Sequence, residues 1–448
     1  MNNRINRRDF LRRSAAVGAG VAVTGRLATA AAQPSAAAAL FRTSPMEKVR
    51  MGFIGVGGQG SNHVRNFLRI DNVEVKAVCD IVQSKVERIQ EWVEAAGQPK
   101  PEGYSRSETD FKRMCDRDDL DLVFIATPWR WHVPMCLDAM EKGKHAATEI
   151  PAAVTLDECW QLVETAERTK KHCVGMENCC YDRAEMQILN MVRKGVLGEL
   201  LHAECGYLHD LRALKFSNEG EGLWRLDHSI RRNGNLYPTH GLGPVAQCMD
   251  INRGDQFDYL VSMSSPSRGL NLHAAERFGA NDPRATRKYA LGDMNTSLIQ
   301  TKKGLTIIVK HDTDTPRPYS RDVLVQGTKG LARKYPEEKI YIEGRSQDDR
   351  WEPLTRYREE YEHPLWKTRG GDARGAGHGG MDYLEDFRLI ECLLKGEPMD
   401  MDVYDAAALS AVSELSERSV ADKSSPMDFP DFTRGAWKTR PPLGIIGE

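Results

Sequence analysis

Lys48-Val49-Arg50-Met51-Gly52-Phe53-Ile54-Gly55-Val56-Gly57-Gly58-Gln59-Gly60 decides the fold. Val49, Met51, Phe53, Ile54 and Val56 make the short apolar run of a buried strand, and Asn62 to Leu68 has the pattern of a helix. Between them stands G-x-G-x-x-G. In that context the glycines have separate physical uses. Gly55 permits the tight turn, Gly57 lets backbone approach a pyrophosphate, and Gly60 lets the helix pack on the strand with its free N–H groups toward the phosphates. The next strand, Val73 to Cys79, ends at Asp80. Asp80 lies about 20 residues beyond the last glycine, the spacing of an acid that binds ribose hydroxyls. Ile81, Val82 and Gln83 follow, with no arginine to meet a 2′-phosphate, so the expected cofactor is NAD rather than NADP.

The 448 residues suffice for two domains. Charge is nearly balanced, with 62 Lys+Arg against 64 Asp+Glu. That argues against nucleic acid as a partner and for a small-molecule or glycan substrate. No uninterrupted apolar run reaches transmembrane length. Residues 1–32 are a separate object: Arg7-Arg8 with Phe10-Leu11, a weakly apolar run from Ala15 to Val23, then small residues around Ala28-Thr29-Ala30. A positive region, an apolar region and a small-x-small site make an export signal, here of the twin-arginine kind, with a periplasmic or secreted destination. That route carries folded proteins, so NAD would leave tightly bound and would have to be recycled within one turnover. The ten cysteines follow no metal-ligand or disulfide spacing and read as core residues, with no metal site expected.

Residues 33–47 read as a linker, 48–178 as a doubly wound α/β domain, and 179–448 as an α+β domain with a largely antiparallel open sheet. Helices are expected at Gln83–Ala95, Thr109–Arg117, His132–Lys142 and Leu156–Thr169, and strands at Leu120–Ala126, Lys144–Glu149 and His172–Glu177. A helix at Arg183–Lys194 opens the second part, and strand-like segments follow, including Leu200–His209, Phe257–Met263 and Leu305–His311. The glycines of Gly370 to Gly380 suggest a mobile or ligand-approaching loop.

Ligands of doubly wound sheets lie outside the carboxyl ends of the strands. The residues to read there are Trp129-Arg130-Trp131-His132, Glu149-Ile150-Pro151 and Asn178-Cys179-Cys180-Tyr181. Position alone leaves Tyr181 open to two readings, a packing tyrosine or a general base. Tyr207, Trp224-Arg225 and the loop Tyr237-Pro238-Thr239-His240-Gly241 concentrate aromatic, cationic and hydroxyl groups suited to a sugar.

These motifs, with Tyr207-Leu208-His209-Asp210, Asp250-Ile251-Asn252-Arg253-Gly254, Arg317-Pro318-Tyr319 and Gly375-Ala376-Gly377-His378-Gly379-Gly380, resemble the Gfo/Idh/MocA oxidoreductases. In detail they look like glycoside hydrolase family 109, whose founding activity is NAD-dependent α-N-acetylgalactosaminidase. The resemblance runs from residue 48 to the C-terminus. Beside Gly55, Gly57 and Gly60 of the glycine motif, it implies NAD contacts at Gly58, Gln59, Asp80, Trp129 to His132, Glu149, Ile150 and Asn178. It implies substrate contacts at Tyr207, Arg225, Tyr237, Pro238, Thr239, His240 and Tyr319. Tyr181 matches the proposed base for the C2 proton, and His240 lies near the C3 hydroxyl. Where sugar dehydrogenases of the group carry Glu-Lys-Pro, this chain has Glu149-Ile150-Pro151, and isoleucine carries no proton. The implied reaction is therefore a redox-neutral glycosidase cycle of oxidation, elimination, water addition and reduction. An exported sugar oxidoreductase and a catalytically silent sugar-binding protein stay open as alternatives, and the superfamily suggests a homo-oligomer.

Overall fold

Strands that are apolar on both faces, alternating with amphipathic helices, suit a parallel sheet covered on both sides. In the computed structural model, which describes residues 41–445, six strands form such a sheet. They are β1 (Val49–Ile54), β2 (Val73–Cys79), β3 (Glu102–Tyr104), β4 (Leu122–Ile125), β5 (His145–Glu149) and β6 (Cys173–Met176), in the order β3-β2-β1-β4-β5-β6. That is a dinucleotide-binding topology. All four residues of β4 are buried. The connecting helices are α1 (Gly58–Phe67), α2 (Gln83–Ala95), α3 (Phe111–Cys115), α4 (His132–Glu141) and α5 (Leu156–Thr169). Thr155 and Glu158 close a capping box that starts α5.

In this first half two elements differ from expectation for clear reasons. Helix α1 begins at Gly58 rather than Asn62. Glycine disfavours helices, but a Cβ at Gly60 would fall 2.0 Å from the Gly55 carbonyl oxygen, so only glycine lets the helix start against the strand. Strand β3 was not expected, because only Tyr104 of its three residues is buried and no alternation marks it. The export segment expected over residues 1–32 lies outside the described residues.

The second sheet combines β7 (Leu200–Leu208), β8 (Phe257–Ser264), β9 (Asn295–Thr301), β10 (Thr306–Asp312), β11 (Leu324–Gly327), β12 (Gly330–Arg333), β13 (Lys339–Ile342), β14 (Glu352–Pro353) and β15 (Met427–Asp428). Their order is β14-β13-β12-β11-β7-β10-β9-β8-β15, antiparallel at every pairing except β7 with β10. The longer helices of this half are α6 (Arg183–Arg193), α7 (Gly222–Arg231), α8 (Thr239–Cys248), α9 (Gly269–Phe278), α10 (Met381–Lys395) and α11 (Val403–Ala421). Helices α8 and α11 cover one face of the sheet, and Met263 and Leu298 stand exposed on the other.

The C-terminal helices return to the first sheet. Helix α10 packs on α1, and α11 lies against α5 and β6 as well as β8. The end of the expected Gly370 to Gly380 loop, Gly377 to Gly380, is a tight turn with His378 and Gly379 in the left-handed region, leading straight into α10. His378 Nδ1 holds it to Asp382 at 2.8 Å. The run after Tyr237, also read as a loop, is the wholly helical α8. Its Gly241, Gly243 and Pro244 argue locally against a helix, and packing overrides them. All ten cysteines are buried and unpaired. Among the described residues no helix is long and apolar enough to cross a membrane.

Candidate active site

The glycine turn leaves a hollow at the end of β1. A Cβ added at Gly57 would meet nothing nearer than Lys85 Nζ at 3.9 Å, and one at Gly58 would meet nothing within 4 Å. No side chain caps α1, so its first N–H groups are left for a ligand. Asp80 lies at one side, its two oxygens accepting from the Val56 and Val82 amides at 2.9 Å each. Beyond it Ile81 and Val82 expose apolar surface. Arg88 fixes the turn by donating to the Val56 carbonyl at 2.9 Å and Ser61 Oγ at 2.8 Å. A pyrophosphate at the N–H groups, a ribose at Asp80 and an adenine against Ile81 and Val82 fit this hollow.

The other half of the cleft is aromatic. Trp129, Ile150, Tyr207, Leu211, Leu236, Tyr237 and Leu291 form an apolar cluster apart from the main core. It joins the ends of β4, β5 and β7. Tyr237 stacks on Trp129 at 5.5 Å between centroids. The Arg225 guanidinium lies 5.0 Å from the Tyr237 ring and 5.1 Å from that of Trp129. Tyr207 Oη is 3.0 Å from His209 Nδ1, and Tyr319 Oη accepts from Arg321 at 3.2 Å. Pro238 starts α8, and Thr239, its first residue, is buried with an unpartnered hydroxyl.

His240 stands in the first turn of α8, its ring 4.8 Å from Tyr237 and 5.4 Å from Tyr207. Two glycines bring it there. A Cβ at Gly241 would lie 2.4 Å from the Gly206 amide, and one at Gly243 would lie 2.8 Å from Glu177 Cγ. The helix can therefore press against β7 and against Glu177 just past β6. His240 Nδ1 is 2.8 Å from Glu177 Oε1. Burial alone would raise the Glu177 pKa, but the imidazole and the Cys179 amide outweigh it and hold the carboxylate below its usual range. The imidazole is thereby oriented, and its Nε2 has no protein hydrogen-bond partner among the described residues. A nitrogen so placed can take a proton from a bound hydroxyl.

Comparison with known proteins agrees with both halves. Residues 49–176 match the model of the oxidoreductase family with NAD-binding Rossmann fold, and residues 181–439 match that of the glycosyl hydrolase 109 C-terminal domain. A glycosyl hydrolase family 109 protein of Shewanella pealeana is 49% identical, covering 99% of this chain and 100% of its own. The chain belongs to glycoside hydrolase family 109. A family 109 relative from Shewanella oneidensis, named alpha-N-acetylgalactosaminidase, is 48% identical over 99% of each chain. Among solved structures, a levoglucosan dehydrogenase in complex with NADH and L-sorbose aligns with a TM-score of 0.65 at 20% identity. It covers 86% of this chain and 100% of its own, a likeness of fold. This family 109 chain is thus a glycosidase built on an NAD-binding dehydrogenase fold.

Not every residue expected at the family 109 site reaches it. Tyr181 does not: it is buried in the main core, and its hydroxyl donates to Asp400 at 3.1 Å beside Arg388. Burial and the Asp400 charge push the phenol well above its ordinary range. The base role expected of Tyr181 is therefore withdrawn. His132 is buried with its ring nitrogens 2.9 Å from the Pro151 carbonyl and 2.7 Å from that of Thr127, so it fixes two strand-end loops instead of facing a cofactor. Arg130 is largely exposed near Glu108, and Trp131 packs edge-on against Phe111. Burial pushes the Cys179 and Cys180 thiols up, which removes either as a thiolate nucleophile. Glu149 and Asn178 border the hollow, the first bound to His63 and the second donating to Asp382 at 2.7 Å. Glu177, His63, Asp382 and Asp386 were missed. Glu177 obeys the same strand-end rule that singled out Asn178, whereas the other three have no local signal.

Proposed function

We propose that this family 109 chain is an exported glycosidase that removes terminal N-acetylhexosamine, α-N-acetylgalactosamine above all, with no net redox change. The observation that carries this reading is the His240–Glu177 pair beside the aromatic wall, with apolar Ile150 where a sugar dehydrogenase needs a lysine. The name of the Shewanella oneidensis relative supports the choice of sugar. Residues 1–32 support the destination, and Arg7→Lys with Arg8→Lys is expected to keep the protein in the cytoplasm.

Gly57 to Gln59 and Asp80 hold the dinucleotide, which supplies a hydride acceptor that becomes a donor again within one turnover. Tyr207, Tyr237, Trp129 and Arg225 hold the pyranose. His240, oriented by Glu177, takes the proton of the C3 hydroxyl and returns it at the end of the cycle. The C2 proton goes to Tyr207. Its hydroxyl lies 3.0 Å from His209 Nδ1, so the phenol passes its own proton to that imidazole as it takes the one from C2 and the C1–O bond breaks, and the proton leaves with the departing alcohol. The reading includes a homodimer through the outer face of the second sheet, where Val261, Leu298 and Ile308 adjoin across β8, β9 and β10. Leu298→Glu is expected to leave a monomer in sedimentation.

The experiment uses protein lacking residues 1–32, with no NAD added, and a panel of nitrophenyl N-acetylhexosaminides and hexosides. Phenol release without a lasting NADH absorbance supports the proposal, and the panel names the sugar. Lasting NADH or a keto sugar without phenol release overturns it and leaves an exported sugar oxidoreductase.

A further inference from the structure

One buried imidazole ties together α1, β5 and α10. His63, wholly buried on α1, places Nδ1 2.7 and 2.9 Å from the two oxygens of Asp386 and Nε2 2.8 Å from Glu149 Oε1. Asn66 Nδ2 also donates to Asp386 at 2.9 Å. Gln59, in the glycine turn itself, lies 3.1 Å from His63 Nε2 and donates to Asp382 at 3.4 Å. Helix α10 thus reaches three residues that border the dinucleotide hollow: Gln59, Glu149 and Asn178.

His63, Glu385 and Asp386 stand close enough together to surround a metal ion. No ion is needed, because both ring nitrogens already face carboxylates. A neutral imidazole has one N–H and would satisfy only one of the two acids, so the bridging species is the imidazolium. Its charge is spent on Asp386 from one side and on Glu149 from the other. Glu149 ends β5, at the sheet edge where ligands of this fold lie. Its Oε1 is taken by His63, while Oε2 has no protein partner among the described residues and the side chain is partly exposed.

We propose that Asp386–His63–Glu149 is a positioning clamp that sets the Glu149 carboxylate toward bound NAD, so that retention of the cofactor depends on α10 of the second domain. The clamp rests on NAD binding alone. It can fail while the glycosidase reading stands, and the reverse.

The test measures the rate at which NAD leaves the mature full-length protein, trapped by an excess of NAD-consuming enzyme. Asp386→Asn and Glu149→Gln are each expected to speed release about tenfold or more, the worth of one charge-assisted hydrogen bond. The double variant should release NAD no faster than the quicker single one, because both changes break one chain of contacts. Release within about twofold of the parent for Glu149→Gln, or effects that multiply in the double variant, would overturn the clamp. Should Asp386→Asn not fold, the ring ¹⁵N resonances of His63 in the parent decide the matter. Two protonated nitrogens at mildly alkaline pH support the clamp, and a neutral tautomer overturns it.

Discussion

Two imidazole–carboxylate pairs flank the same cofactor hollow, and they differ in what is left free. His63 is fully buried with both ring nitrogens engaged, by Asp386 and by Glu149. His240 has one nitrogen on Glu177 and the other without a protein partner, and its ring is partly exposed. Burial disfavours charge on His63, but the two carboxylates outweigh it and hold its pKa well above the ordinary imidazole value. A fully bonded pair fixes geometry, whereas a pair with one open nitrogen can move a proton.

The contrast breaks most severely at the open pair. His240→Ala is expected to lower kcat by about 10²–10⁴-fold, read by phenol release, and to lower the melting temperature in calorimetry because the buried Glu177 carboxylate loses its partner. Glu177→Gln, which keeps the shape but misorients the imidazole, is expected to cost turnover roughly two to four decades and to shift the pH–rate profile. At the closed pair the loss is of stability instead. His63→Ala leaves two acids uncompensated and is expected to cost about 3–5 kcal/mol in denaturant unfolding. The parent's share of this has a sign. His63 binds its proton more tightly folded than unfolded, so the stabilisation is complete below about pH 6.5 and is lost as pH rises through the raised value.

Smaller effects sharpen the same contrast. Tyr181→Phe removes a buried hydrogen bond to Asp400 and is expected to cost about 1 kcal/mol of stability while activity stays within about threefold. A collapse of activity would restore the tyrosine as base. Glu385, beside His63, is buried with both oxygens unpartnered, and burial, opposed by His63, raises its pKa well above the usual carboxyl range. The native state keeps that proton after the unfolded chain has lost it, so stability falls as pH rises above the ordinary Glu value. Glu385→Gln should flatten that slope and raise the melting temperature by a few degrees at neutral pH, by about 1 kcal/mol or more.

The cradle was legible because it is local: one strand, one glycine turn, one acid a fixed distance on. The aromatic wall was legible as composition, since Tyr207, Arg225, Tyr237 and His240 crowd one stretch of chain. Of the proton carriers His240 was legible in that same stretch, but its partner Glu177 and the burial of Tyr181 were not. Tyr181 and Glu177 flank the same short turn after β6, and whether a side chain there faces the cleft or Asp400 is set by how α8 and α10 pack around it. Helix α8 itself was hidden by Gly241, Gly243 and Pro244, the residues that let it approach β7 and Glu177. Asp386, which holds one nitrogen of His63, stands more than three hundred residues away on α10, beyond any window of local pattern.

Helix α11 is the element whose position reaches furthest. Its Ser410 and Glu414 accept from the Ala153 and Leu156 amides of the first half, while Ser416 and Ser419 accept from Asn235 and Ser262 of the second. A keystone bonded to both sides ties them together. Under the function proposed above, a terminal sugar would be taken into a cleft whose walls one helix ties together, with entry as a chain end expected over jaws closing around it. Any widening of diet in relatives of this protein would have to be carved at the rim, in the segments between β7 and β9, with the two halves left as they are.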